Sequence, residues 1–256
     1  MVLTVGEIGA LVGSLLWPLM RISAMLLAMP VMGANAMPVR IRVMYAFFLS
    51  FTIAPLIPEV PEVDLLSGTA VLIALHEVIL GAAIGLCLQF IFVSLIAAGE
   101  QMALSMGLGF ATMIDPANGV SVPVLGQLLM IIGALLYFVS GLHGQVIETL
   151  LASFFKAPVQ TMAFDKDIFF QIASAMSFVA MSAVLISLPI TASVLLVYVG
   201  LGVMTRAAPQ MNIFSVGFPV TLMTGIIGVL LLMPALDLAF ERLGVIFMNL
   251  ANAVIG

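Results

Sequence analysis

"SMGLGFATMIDPANGVSVPVLG", Ser105 to Gly126, is the stretch on which the reading of this chain turns. Its Gly and Pro residues break any spanning helix. Its Met, Phe, Ile and Val residues make it too apolar for an ordinary water-facing loop. On each side stands one of the most apolar blocks of a very apolar chain. The fold therefore has to carry a bendable, greasy loop between two membrane-type helices.

Composition supports that frame. Of 256 residues, 64% are hydrophobic and only 7% charged, where a soluble domain has about 25% charged residues. The mean hydropathy is +1.33. So few charges cannot cover a water-facing surface, so lipid or other protein must. An all-α integral membrane protein is expected. Twelve acids and seven bases give a net charge of −5, which excludes a basic nucleic-acid binder. Cys87 is the only cysteine, so no disulfide forms within the chain, and it reads as a small buried hydrophobe. "MVLTVGEIGALVG" lacks a basic leading region, so its apolar segment is expected to be retained rather than cleaved as a signal.

Six apolar blocks can be read, at about 8–36, 43–57, 65–98, 122–142, 168–204 and 213–240, against the roughly 20 residues that one crossing needs. Block 43–57 is too short, and 65–98 and 168–204 are too long for one straight span. Pro18, Pro30 and Pro189 predict kinks or breaks. Broken or over-long helices survive where protein or a wet cavity satisfies the freed backbone, so much of the chain is expected to be wrapped by protein. "GALVG" (Gly9 to Gly13) and "GAAIG" (Gly81 to Gly85) have the GxxxG spacing of close helix packing. The segment from His143 to Asp167 reads as a mixed, amphipathic separator. After it, 168–204 and 213–240 form a helical hairpin around "TRAAPQMN", with Arg206 near the carbonyl end of the first helix and Pro209 preventing its continuation.

The chemistry-bearing residues are few. His76-Glu77 begins like a zinc-protease helix, but Leu80 stands where the second His belongs. "GLGF" (Gly107 to Phe110) lacks the rest of a dinucleotide fingerprint and follows a helix, not a strand. No cofactor, metal site or catalytic residue is expected. Charges inside apolar blocks are more informative, because each costs about 2.5–3.5 kcal/mol at the bilayer centre. Arg21 and Glu100 are such residues and, with Arg206, are expected at a subunit contact or a polar lumen. In the opening loop, Met106, Gly107, Gly109, Phe110, Met113, Ile114, Asp115 and Pro116 combine adaptable apolar side chains with turn chemistry. Such a loop suits a compressible plug that stops ions by dewetting a passage.

Several motifs carry a resemblance over nearly the whole chain: "WPLMR" (Trp17 to Arg21), "MPVRIR" (Met37 to Arg42), "GEQMALSMGLGFATMIDP" (Gly99 to Pro116), "PVLGQ" (Pro123 to Gln127) and "RAAPQMNIFSVGFPVT" (Arg206 to Thr221). Together they resemble the FliR family of flagellar biosynthetic and type III secretion proteins. One departure is Gly141-Leu142-His143, where that family often has Asn-Gly before the His. The resemblance implies a single-copy subunit of an export gate in the bacterial inner membrane, at the flagellar basal body. It implies FliP-type, FliQ-type and FlhB-type partner subunits, membrane lipid around them, and unfolded export substrates passing through. It also implies one export-gate domain over 1–256, with a FliP-like part (1–165) and a FliQ-like hairpin (166–256), and a plug at 106–119. The reading from residues alone leaves two rivals: a stand-alone polytopic permease for small solutes, and an intramembrane enzyme, for which no polar reacting pair is evident.

Overall fold

The computed structural model describes residues 5–33, 37–58, 60–61, 63–64, 67–109, 124–160, 166–208 and 213–256, with side chains from Gly13 onward, from Phe169 in the sixth helix and from Val216 in the seventh. Among the described residues every regular element is helical: α1 Val5–Ala28, α2 Val39–Ile53 with a 3₁₀ turn Ala54–Leu56, α3 Gly68–Ser105, α4 Val124–Val139, α5 Leu142–Lys156, α6 Lys166–Ala207 and α7 Ile213–Val254.

The over-long blocks prove to be over-long helices. α3 has 38 residues and α6 and α7 have 42 each, or about 57 and 63 Å at about 1.5 Å per residue. Pro18 and Pro189 lie inside helices that run on past them. Pro189 removes one N–H donor, but the flanking hydroxyls stay on their own helix: Thr191 Oγ1 donates to the Ser187 carbonyl at 3.0 Å, and Ser193 Oγ to that of Pro189 at 2.7 Å. The break falls instead between α4 and α5, which meet at 70°. There Gly141 takes φ +72 just before α5, a value L-residues rarely adopt. The expected separator after His143 is largely α5, whose Val146, Leu150 and Phe154 are buried.

Among the described residues, four helices are long and apolar enough to cross a membrane: Val39–Leu56, Gly68–Ser105, Phe169–Ala207 and Val216–Val254. The bent pair α4 and α5 is a fifth candidate if counted as one span. Their burial differs sharply. The most apolar window of α3 is 67% buried, against 22% in α2, α6 and α7. α3 is thus a core helix, while the other three show apolar residues such as Phe48, Phe51, Leu196 and Leu231 on the outside.

The chain divides into two compact units. The first holds Met1–Phe90, Gly141–Ala175 and Gly244–Gly256, and the second Ile91–Ser140 and Met176–Leu243. In the first, Ala83 and Cys87 of α3 pack on Ala251 and Val254 of α7, and Phe90 meets Phe247 at 5.7 Å between ring centres. In the second, Phe92 of α3 lies edge-on to Tyr137 of α4 and Phe240 of α7.

Candidate functional site: the loop root and the buried charges

Within the second unit, the helices flanking the long loop form a tight antiparallel pair. A Cβ on Gly99 of α3 would stand 2.6 Å from both the Cα and the N of Gly126 in α4, so the two backbones touch where neither residue has a side chain. Further along, a Cβ on Gly133 would meet the Leu95 side chain at 2.6 Å. Glu100 sits half-buried beside this crossing, its Cγ 3.5 Å from where a Cβ of Gly126 would be.

The loop then leaves α3 through a built stop. Gly107 has φ +89. Its N–H donates to the Leu104 carbonyl at 3.1 Å, and the N–H of Leu108 reaches back to that of Ala103 at 3.0 Å. That pair of bonds around a left-handed glycine is the Schellman motif, which satisfies carbonyls the helix end leaves open. A Cβ on Gly107 would lie 3.3 Å from the Phe218 ring and 3.7 Å from the Tyr198 hydroxyl. Met106, just before it, is 1% exposed. Its side chain fills the space a Cβ on Gly225 would need, and its carbonyl lies 3.3 Å from Thr221 Oγ1. The root of the loop therefore rests on α6 and α7. Of the plug residues named from sequence, Met106, Gly107 and Gly109 are placed by the structure. Phe110, Met113, Ile114, Asp115 and Pro116 lie outside the described residues.

The first unit holds the strongest electrostatic feature. Arg21 of α1 is fully buried. Its Nε donates to Glu77 Oε2 at 2.7 Å and its Nη2 to Glu77 Oε1 at 2.8 Å, a bidentate pair. Nη2 also reaches the Ala157 carbonyl at 2.9 Å, and Nη1 the Ser153 carbonyl at 2.9 Å and Oγ at 3.0 Å. All five guanidinium donors are thus used, and the Phe154 ring lies 4.2 Å from the guanidinium carbon. Arg21 was expected at a subunit contact or a lumen. It is instead consumed by its own chain, joining α1, α3 and the carbonyl end of α5, where a cation also complements the helix dipole.

The "GAAIG" spacing makes this approach possible. Glu77, Gly81 and Gly85 fall on one stripe of α3 at steps of four. A Cβ on Gly81 would collide with the Arg21 carbonyl, and one on Gly85 would come within 2.6 Å of Ala28 Cβ. His76 is buried too, with Nδ1 3.5 Å from Glu77 Oε1. The His76-Glu77 pair thus belongs to a structural node. Among the described residues no group of three or more His, Cys, Asp or Glu is placed to hold a metal.

Two other arginines have different settings. Arg42 is buried at the start of α2, donating to the carbonyls of Met32, Gly33 and Met37 at 2.8–3.0 Å, so it staples the connection from α1. Arg206 is exposed in the last turn of α6. The sequence reading weighed Glu77 only beside His76 and did not pair it with Arg21, though a signal existed. A lone cation inside one apolar block requires an acid inside another, and Glu77 lies in one.

The family model "Bacterial export proteins, family 1" matches residues 12–244. The chain belongs to that family. Like other bacterial export proteins of family 1, it is a component of a transport system, and its several long apolar helices accord with a membrane location. It is 32% identical to flagellar biosynthetic protein FliR of Escherichia coli K12 over 239 residues, 93% of this chain and 91% of that one. It is 31% identical to FliR of Aquifex aeolicus, covering 90% of this chain and 88% of that protein. With FliR of Bacillus subtilis the identity is 29%, over 78% of each.

Proposed function

We propose that this chain is a non-enzymatic subunit of the flagellar protein-export gate in the bacterial inner membrane, at the basal body. It completes a pore built with FliP-type and FliQ-type subunits and joined by an FlhB-type subunit. Unfolded export substrates pass through that pore, and the 106–119 loop closes it between passages. Residues 1–165 act as the FliP-like part and 166–256 as the FliQ-like hairpin.

One observation carries this reading: the close-packed helix pair α3 and α4 flanks the apolar stretch that Gly and Pro break, and the chain leaves α3 through a defined stop at Gly107. A closing element needs a rigid root and an adaptable tip. α6 and α7, of 42 residues each, are longer than one lipid crossing needs, and their outward apolar faces suit contact with sister subunits as well as lipid. Membership of an export family supports a reading in movement rather than catalysis.

The test is to purify the assembled complex with residues 107–118 deleted and measure its ion conductance in a planar bilayer. The deleted form is expected to assemble with its partner chains and to conduct steadily, while the intact form stays closed. A deleted complex that seals like the intact one would remove the plug role. Recovery of the chain as a solitary, active protomer would favour the permease instead.

A further inference from the structure

We propose that Gly225 of α7 is a positioning residue that seats Met106, so that the C-terminal hairpin, rather than α3 and α4 alone, holds the closing loop at its root. The proposal rests on the function proposed above.

The geometry is local and wholly within the second unit. Met106 is the last residue before the loop turns at Gly107, and it is buried to 1% exposure. A Cβ on Gly225 would overlap Cγ, Sδ and Cε of Met106 together. The thioether therefore lies lengthwise in a notch that exists only because residue 225 has no side chain. The Thr221 hydroxyl, one turn before Gly225 on the same face of α7, lies 3.3 Å from the Met106 carbonyl and 3.1 Å from that of Phe218. A hydroxyl has one proton, so it is shared and the first contact is long. The notch, not the hydroxyl, does most of the holding. The Phe218 ring, one turn earlier again, closes over Gly107. Three successive turns of α7 thus present Phe218, Thr221 and Gly225 to the two residues from which the loop departs. Any shift of α7 against α3 moves the root of the loop with it.

Five forms of the assembled complex, compared with the intact form and the 107–118 deletion alone, decide the matter: Gly225→Ala, Met106→Ala, Met106→Leu, and each Ala variant combined with that deletion. Ion conductance in a planar bilayer is the readout, with co-purification of the partner chains as the control for assembly. Gly225→Ala and Met106→Ala are each expected to raise the leak about tenfold, the change that ~1.4 kcal/mol of lost closure gives. Met106→Leu, which still fills the notch, is expected to stay closed. In the deletion background neither Ala substitution is expected to add leak, because there is no loop left to position. If Gly225→Ala fails to assemble, Met106→Ala against its deletion partner gives the same answer. Ala variants that seal normally while the deletion leaks would overturn the seat and leave the plug standing. Leak from the Ala variants that adds to that of the deletion would also overturn it. A deletion that does not leak would sink the underlying reading instead.

Discussion

The Arg21 node and the root of the loop are built from opposite materials. At the node, five hydrogen bonds, a carboxylate and an aromatic ring exhaust one guanidinium. At the root, glycines and a methionine do the work: Gly99 on Gly126, Met106 in the notch of Gly225, Gly107 in its left-handed turn. The difference shows where the rigid and the adjustable parts of an export component are to be sought. A saturated buried ion pair has one good arrangement, since losing a partner strands a charge. Apolar contact between small residues and a flexible thioether has many arrangements of similar energy. The charged residues therefore fix the frame, as the backbone contact of Gly99 on Gly126 fixes the root, and the Met106 thioether is the contact with room to adjust.

This contrast can be broken most severely at the node. Arg21→Leu leaves Glu77 buried and unpaired, which should cost about 3–5 kcal/mol. The chain itself should then fail to accumulate, before any question of assembly arises, and an immunoblot of cell membranes measures this. The double change Arg21→Met with Glu77→Leu removes both charges and should restore accumulation. If single and double variants are equally depleted, the pair is not what holds α1 to α3.

A smaller loss is expected where the two helices flanking the loop touch. Gly99→Leu drives a side chain into the backbone of α4, and overpacking of this kind costs about 1–3 kcal/mol. The thermal midpoint of the purified complex should fall, and conductance should rise because the rigid root is splayed. A lower midpoint with unchanged conductance would separate root from closure.

For Phe110, in the 106–119 stretch proposed as the plug, the balance should reverse. Phe110→Ala is expected to leave the thermal midpoint unchanged while the leak rises about tenfold, equivalent to ~1.4 kcal/mol of closure. The same bilayer recording checks it, and an unchanged leak would make Phe110 a packing residue. Least of all is expected at Arg206. It is exposed at the end of α6, where a charge near the helix terminus is worth little in water. Arg206→Gln should alter neither midpoint nor conductance, unless a partner acid meets it. Loss of one partner chain on co-purification would reveal that acid.

Much of the architecture was legible because hydropathy reports helices well. The apolar blocks on either side of "TRAAPQMN" are there as α6 and α7, and those on either side of the opening stretch are there as α3 and α4. Block lengths also flagged the right anomaly, but Pro189 does not break its helix. A proline removes one hydrogen bond, and a 42-residue helix absorbs that loss without ending. The true break needed Gly141, a single left-handed glycine in a run with little else to mark it. α5 was hidden because its apolar residues cover only one face, so average hydropathy reads it as a separator. The Arg21–Glu77 pair joins residues 56 positions apart, which no local pattern announces. Of the two GxxxG spacings, only Gly81 and Gly85 are seen to carry a helix contact. The Cβ position on Gly13 meets nothing but Trp17 of its own helix.

The three longest helices have a consequence for the cell that makes this chain. A rod of about 57–63 Å is roughly twice the ~30 Å hydrocarbon layer. About half of each must then stand outside that layer, in water or against polypeptide, and the outer faces of α6 and α7 are mostly Leu, Val and Phe, with few exposed charges such as Asp237, Glu241 and Arg242. A copy made in excess of its neighbours would present that surplus to proteases and chaperones as damage. Dosage would then be set by disposal: only copies that find their neighbours would persist, whatever the rate of synthesis.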